Sequence, residues 1–222
     1  MMDELNKSTE LHKVASLNAF LPAETLRMLE KYEPDIPNDL AFEEHMTILF
    51  SDMRGFTELA EKFDPRDVYA SINASLSIQT GIILKHHGSI NKFLGDGLLA
   101  CFSGEKRGEN AMKCLLEVLK TLSEKEKESG LLPCKVGFSL HDGKVLLGLV
   151  GDESRRELTV IGDVVNTAAR LCGIAQPFQG LVTEESRKTM PEKLAKKHCR
   201  FLNAVHFKGK GEPMNIFYLE LE

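Results

Sequence analysis

The sequence lacks three features that would place it in a special class of protein. Its 5 cysteines are an odd, widely spaced set without a Cys-x-x-Cys pair, so neither a disulfide framework nor a zinc site is indicated. It has no apolar run of the ~18 to 20 residues that span a bilayer, and its amino terminus lacks the apolar core of a signal peptide. We therefore expect a soluble chain in the reducing cytoplasm that makes no membrane contact itself.

The sequence also lacks an excess of positive charge. Lys and Arg number 28 against 33 Asp and Glu, which gives a net charge of −5, and there is no basic tail. Because nucleic acid binds to clustered positive charge, we expect no nucleic-acid partner and no polymerase activity. Any anionic ligand must meet a local group of cations. The 42% of hydrophobic residues that the chain does have is typical of a globular domain with a real core.

The first part of the chain differs from the rest. Residues 1–44 begin polar and then contain one short helical signal, with Pro22 in its first turn. Pro34 and Pro37 end that helix, so residues 33–38 are predicted to be a linker. The sequence therefore divides into an extension, residues 1–44, and a folded domain, residues 45–222.

Hydrophobic periodicity in the second part predicts alternating strands and helices. Strands joined by hairpin turns, at Gly95-Asp96-Gly97 and at Asp142-Gly143, indicate an α+β fold whose mixed or mostly antiparallel sheet carries packed helices. The predicted helices cover residues 65–87, 108–128, 164–172 and 184–189, and the predicted strands cover 46–51, 89–94, 98–102, 134–141, 144–150, 157–161, 181–183, 199–207 and 214–221.

Two acids occupy positions where acids are structurally unusual. Asp52 follows an apolar strand, and Asp96 lies in a turn between two strands that are predicted to pair. Two strand-end carboxylates brought side by side are what a two-metal phosphoryl-transfer site requires. Taken singly, each has an ordinary explanation, because Asp96 fits a turn and Asp52 fits a helix cap.

Other polar residues are ambiguous when each is taken alone. The turn at Arg54-Gly55 leads into a helix start, where unpaired backbone N–H groups favour phosphate. Lys92 lies within a strand, while Asn166 and Arg170 are four residues apart and so share one helix face. Each of these could equally be a surface residue.

Three sequence motifs, taken together and in their order along the chain, change that interpretation. They resemble the signature segments of class III nucleotidyl cyclases, and the resemblance extends over about residues 45–220, including VGFSLHDG (136–143) and KGKG (208–211). The three segments are ILFSDMRGFT (48–57), NKFLGDG (91–97) and TVIGDVVNTAAR (159–170).

The resemblance implies a fold and an assembly. The family has a ferredoxin-like βαββαβ core with extra strands and helices, and it is active as a head-to-tail homodimer with its sites in the interface. Residues 1–44 resemble, in part, the connector that joins such domains to an upstream sensor domain in a longer protein.

The resemblance also implies the role of each site residue. Two Mg²⁺ or Mn²⁺ ions are expected to bind Asp52, Asp96 and the backbone carbonyl of Met53, with the triphosphate held by Gly55, Phe56 and Thr57. From the opposite chain, Lys92 and Thr159 are expected to contact the purine. The other residues implied are Asn166 for the ribose, Arg170 for the transition state, and Lys208 with Arg155, in preference to Arg156, for the phosphates.

The implied reaction is attack of the ribose 3′-oxygen on the α-phosphorus of ATP, giving 3′,5′-cyclic AMP and pyrophosphate. A Lys92 donor and a Thr159 hydroxyl match the edge of adenine, whereas guanylyl cyclases of this family usually carry an acid and a cysteine there. Guanylyl cyclase activity and a catalytically inactive regulatory domain remain the alternatives. A diguanylate cyclase does not fit, because its Gly-Gly-(Asp/Glu)-Glu-Phe turn is absent.

Overall fold

A computed structural model describes residues 21–32, 36–128, 131–152 and 154–221. Part of the predicted extension and linker, residues 1–20 and 33–35, lies outside them. Within the described residues, the short helix of the extension is α1, Ala23–Tyr32. None of the helices described there is long and apolar enough to cross a bilayer.

The first half of the domain is a βαββαβ unit. Asp64 caps the first long helix by accepting a hydrogen bond from the backbone N–H of Arg66, as its Asp-Pro start predicts. The strands lie in the order β2-β3-β1-β4, which is the ferredoxin-like arrangement. In chain order the elements are β1 Ala41–Met53, α2 Phe56–Lys62, α3 Pro65–Lys85, β2 Ser89–Phe93, β3 Leu98–Phe102, α4 Arg107–Glu128 and β4 Val136–Asp152.

The second half extends the sheet to eight strands in the order β2-β3-β1-β4-β6-β8-β7, with β5 also paired to β4. Among the strand pairs of the described residues, only β4–β6 is parallel, so the predicted α+β fold with a mostly antiparallel sheet is confirmed. The added elements are β5 Arg155–Ile161, α5 Asp163–Ile174, β6 Gly180–Thr183, α6 Glu184–Lys188, α7 Glu192–His198, β7 Cys199–Val205 and β8 Met214–Leu219.

The core lies on both faces of the sheet. Leu49 of β1 packs with the buried side of α4, including Leu115 and Leu119, in one cluster. Its neighbour Ile48 points to the other face, as strand alternation requires, and packs there in a second cluster that also contains Met28 of α1. The helix of the extension is therefore packed against the domain.

One predicted turn is wrong. Residues 134–150 were expected to form a hairpin around Asp142-Gly143, but β4 runs unbroken through them. The reason is tertiary, because buried Asp142 accepts a hydrogen bond from Thr47 Oγ1 at 2.7 Å and pairs with Arg107 at 2.8 Å. A Cβ at position 143 would lie 2.6 Å from Val164, so glycine is required there for helix packing and not for a turn.

Other elements also differ from the sequence prediction. β1 begins at Ala41, ahead of the expected strand start at residue 46, because its first residues pair with the far end of β4. The short helix α7 was not predicted at all. The division of the chain at residue 45 stays a prediction.

Candidate active site

The two acids meet because of a glycine. Ser51 of β1 pairs with Leu98 of β3, so the turn before β3 lies against the end of β1. A Cβ on Gly97 would lie 2.0 Å from the backbone oxygen of Ser51, which means that only glycine allows this approach. The turn is closed by the backbone hydrogen bond from Leu94 to Gly97, 2.9 Å. Asp96 is thereby held beside Asp52.

The electrostatics of this pair favour a bound cation. Burial raises the pKa of Asp96, and the negative charge of Asp52 raises it further, while Arg54 opposes the shift. Two carboxylates that repel each other, next to the main chain of Met53, are a set of oxygen donors that suits a hard divalent cation. Within the described residues, no group of three or more His, Cys, Asp or Glu side chains could hold a metal ion.

Arg54 is a member of the site that the sequence did not identify. Its Nη2 lies 2.5 Å from Asp52 Oδ2, and its Nη1 donates to the carbonyl of Gly173 near the end of α5 at 3.2 Å. The Arg54 guanidinium thus occupies the position where a metal cation is expected, and it links the end of β1 to α5. It also lines a cavity of about 370 Å³ together with Lys62 and Lys135.

The predicted phosphate turn lies directly after the acid. Gly55 has φ +74°, which favours glycine, and it precedes α2. Phe56 and Thr57, the first two residues of that helix, are exposed. The first intrahelical bond comes from Leu59 N–H to the Gly55 carbonyl at 3.1 Å, so the N–H groups before it are available to an anion.

The predicted purine residues lie on two strands, β2 and β5, that are not paired with each other in the sheet. Lys92 of β2 pairs with Glu157 of β5 at 2.5 Å. Thr159, two residues further along β5, donates its hydroxyl proton to Asn91 Oδ1 at 3.3 Å. The structure therefore brings Lys92 and Thr159 to one place, through two partners that the sequence analysis did not single out.

A third group is built on α5. Asn166 and Arg170 are both exposed on this helix. Arg170 donates to the backbone carbonyl of Lys208, and Lys210 pairs with Asp163, so the glycine turn between β7 and β8 is attached to α5.

Two arginines complete the set of predicted residues. Arg155, at the start of β5, is exposed, while the guanidinium of Arg156 donates to Asn38. Among the described residues, no hydrogen bond or ion pair joins the acid pair to Lys92, Thr159, Asn166 or Arg170.

Residues 41–220 match the family model of the adenylate and guanylate cyclase catalytic domain. An adenylate cyclase from Anabaena cylindrica is 32% identical over 184 residues, which cover 78% of this chain and 36% of that protein. Another, terminal-differentiation specific, from Dictyostelium discoideum is 32% identical over 179 residues, which cover 8% of its length. The chain thus spans about a third or less of these relatives.

Solved structures agree with the fold. The adenylyl cyclase CyaB from P. aeruginosa superimposes with a TM-score of 0.73 and 26% identity, covering 82% of this chain and 97% of that one. The guanylyl cyclase Cya2 has the same TM-score of 0.73 and 26% identity, covering 81% and 93%. The similar structures thus include cyclases of both nucleotide types.

Proposed function

The chain belongs to the family of adenylate and guanylate cyclase catalytic domains, and on that premise we propose that it converts ATP to 3′,5′-cyclic AMP and pyrophosphate. The observation that carries the proposal is the acid pair: Gly97 lies against the backbone of β1 and holds Asp96 beside Asp52. A regulatory domain without activity has no need of this arrangement, because two adjacent carboxylates of like charge repel each other, and a bound cation relieves that repulsion.

Asp52, Asp96 and the backbone carbonyl of Met53 would hold two Mg²⁺ or Mn²⁺ ions. When bound, the ions activate the 3′-hydroxyl and neutralise the departing pyrophosphate. The protein's own part is to keep both carboxylates ionised and aimed at one point. The close pairing of Arg54 with Asp52, 2.5 Å, supports a site that selects positive charge.

The phosphates lie over the turn formed by Gly55, Phe56 and Thr57. The exposed N–H groups at this turn donate to phosphate oxygens without needing a basic patch, which agrees with the net charge of −5. Lys208 and Arg155 supply positive charge to the same phosphates. Arg155 is the better candidate of the two adjacent arginines, because Arg156 is engaged with Asn38.

The base is contacted by Lys92 and Thr159. The Lys92 ammonium donates to the adenine ring nitrogen, and the Thr159 hydroxyl pairs with the exocyclic amino group. Exchange of these residues for Glu and Cys should reduce ATP turnover strongly, because buried polar groups left unpaired cost about 1 to 3 kcal/mol each. Guanylyl cyclase activity is the second candidate function, since a structure with that activity is as similar as one that makes cyclic AMP.

Each site is shared between two copies of the chain in a homodimer. Asn166 orients the ribose and Arg170 stabilises the transition state at the acid pair of the partner. Two observations support this. Within the described residues, no hydrogen bond or ion pair joins Arg170 to the acids of its own chain. Apolar residues such as Phe93, Leu94 and Ile161 are also exposed, as they would be at a surface that pairs with a second copy.

The extension before the domain serves as a connector. Residues 1–44 would join the cytoplasmic catalytic domain, residues 45–222, to an upstream sensor domain in a longer protein. The packing of Met28 in the same apolar cluster as Ile48 of β1 supports a mechanical link between α1 and the catalytic sheet.

The proposal is tested by incubating the purified chain with ATP or GTP and Mn²⁺ or Mg²⁺, and identifying the products by mass spectrometry. We expect cyclic AMP and pyrophosphate, made only with metal, and no product from Asp96→Asn, because an amide lacks the anionic oxygen that a divalent cation prefers. Without metal, Asp96→Asn should unfold at the same temperature as the unsubstituted chain or at a higher one, because the amide removes the repulsion from Asp52.

Other products would identify the alternatives. Cyclic GMP as the main product would mean a guanylyl cyclase. Nucleotide binding without any cyclic product would mean a regulatory domain. Full turnover by Asp96→Asn would contradict the metal assignment.

A further inference from the structure

A β-bulge in β2 turns two consecutive side chains, those of Asn91 and Lys92, toward the same strand, β5. Ile90 pairs with Ala100 and Lys92 with Leu99, so Asn91 is the extra residue of the bulge. In a regular strand, neighbours point to opposite faces, whereas a bulge re-aims a side chain. As a result, Asn91 and Lys92 both contact residues of β5.

The carboxamide of Asn91 has only one workable orientation. The side chain is 4% exposed, and its Nδ2 lies 3.5 Å from the backbone carbonyl of Leu158. A carbonyl can only accept, so the NH₂ group must face Leu158 and the Oδ1 must face Thr159. The reverse orientation would bury two acceptors against each other, which is unfavourable.

This orientation fixes the role of Thr159. A threonine hydroxyl has one proton and can donate or accept. Because Asn91 Oδ1 can only accept, the Thr159 proton is committed to the 3.3 Å hydrogen bond between them. Thr159 Oγ1 can then only accept a hydrogen bond from a nucleotide.

A hydroxyl restricted to accepting distinguishes the two purines. The adenine amino group donates and so matches it. The guanine O6 accepts, so guanine would bring two acceptors together without a proton between them. The guanine N1–H would in addition face the Lys92 ammonium, which is also a donor.

We propose that Asn91 is a specificity-determining positioning residue: it consumes the only proton of Thr159 and thereby makes the site select adenine over guanine. The inference rests on the proposed function and deepens it, since Asn91 acts through Thr159 and need not touch the nucleotide.

The test compares kcat/KM for ATP and GTP in Asn91→Ala and in the volume-matched Asn91→Leu. Both substitutions free the Thr159 proton, so we expect the ATP-to-GTP ratio to fall about tenfold, the change that one unpaired acceptor implies. Competition of ATP and GTP against a fluorescent nucleotide gives the corresponding ratio of affinities, which should fall in the same direction. Thr47→Val removes a different buried hydrogen bond, to Asp142, and should leave the ratio unchanged.

A double substitution isolates the mechanism. In a Thr159→Val background there is no hydroxyl to orient, so adding Asn91→Ala should not change the ratio further. An equal loss of kcat/KM for both nucleotides in Asn91→Ala and Asn91→Leu would overturn the proposal and leave Asn91 a structural residue. Failure of the unsubstituted chain to make any cyclic nucleotide would contradict the proposed function instead, and the binding ratio would still decide the role of Asn91.

Discussion

The acid pair is the feature around which the rest of the site is arranged, and Arg54 is its internal counter-ion. The guanidinium contacts one oxygen of Asp52 and is anchored by the Gly173 carbonyl. A metal ion that uses both oxygens of Asp52 must therefore take the place of this contact. Arg54 would thus compete with a bound metal ion, and it stabilises the pair without one.

This competition predicts that Arg54→Met raises the affinity for Mn²⁺. Loss of a charge-assisted hydrogen bond to a half-exposed carboxylate should improve binding about tenfold. The affinity can be measured by titration of the nucleotide-free protein with Mn²⁺, using the electron paramagnetic resonance signal of the free ion.

The control for this experiment is Lys135→Met. Lys135 lines the same cavity as Arg54, and its loss reports the effect of a nearby positive charge without the contact to Asp52. Weaker Mn²⁺ binding by Arg54→Met than by Lys135→Met would mean that Arg54 positions the carboxylate and does not compete with metal.

Sequence reasoning at the residue scale found the residues that belong to motifs but not their partners. The recognisable sequence motifs contain Asp52, Asp96, Lys92 and Thr159. The roles of Arg54, Asn91 and Glu157 depend on distances across the sheet and on a bulge, and neither is visible in local sequence. The one sequence signal for Asn91 was its place directly before Lys92 in the motif.

At the scale of elements, the dipeptide Asp-Gly occurs in two places and serves a different structural purpose in each. Gly95-Asp96-Gly97 was predicted to be a turn and is one. Asp142-Gly143 was predicted to be a turn and lies inside β4. Its aspartate is neutralised by Arg107, and its glycine makes room for Val164. Composition predicts a turn only where tertiary contacts do not provide another use for the same residues.

Gly97 gives a prediction at this scale. In Gly97→Ala the new methyl group would meet the backbone of Ser51, so the turn must move away from β1 and carry Asp96 with it. We expect a loss of stability of about 1 to 3 kcal/mol and a loss of turnover larger than that destabilisation explains. Urea unfolding and activity at saturating metal measure the two effects.

Gly81→Ala is the matched control, because a Cβ at this position in α3 meets nothing within 4 Å. It should be neutral or slightly stabilising, since alanine favours helix over glycine. Unchanged stability and turnover in Gly97→Ala would show that the hairpin does not need its close approach to β1.

His141 gives a second prediction at the element scale. It is 3% exposed, and its Nδ1 lies 2.8 Å from the hydroxyl of Thr183, the residue that caps α6. Burial lowers the pKa of His141 below its ordinary value of 6.5, and nearby Lys210 lowers it further, against the raising effect of Glu185, Asp142 and Asp163.

The unfolded chain therefore binds this proton more readily than the folded one. The contribution of neutral His141 to stability is complete above pH 6.5 and is lost as the pH falls from 6.5 toward the lowered value. We expect the free energy of unfolding in urea to decrease from pH 7.5 to pH 5.5, and to decrease less in His141→Gln. An equal decrease in both proteins would assign the pH dependence to other groups.

At the scale of the whole molecule, the fold was predictable and the assembly is a proposal. The βαββαβ order followed from periodicity and turn residues, which are local properties. The early start of β1 was not predicted, because it depends on pairing with the far end of β4, and the helix α7 was missed. A surface that joins two copies leaves still less local signal, since exposed apolar residues such as Phe93 and Ile161 also occur on monomers.

The central claim is that one active site is built from two chains, and mixing two inactive variants tests it most directly. Asp52→Asn removes a proposed metal ligand and Arg170→Ala removes the proposed transition-state arginine, so each alone should be nearly inactive. In a mixed dimer, one site receives both defects and the other receives none. Random pairing of equal amounts makes about half of the dimers mixed, so about a quarter of the unsubstituted rate should return. No recovery, in a sample where subunit exchange has been demonstrated separately, would contradict the shared site and require that each chain form its own.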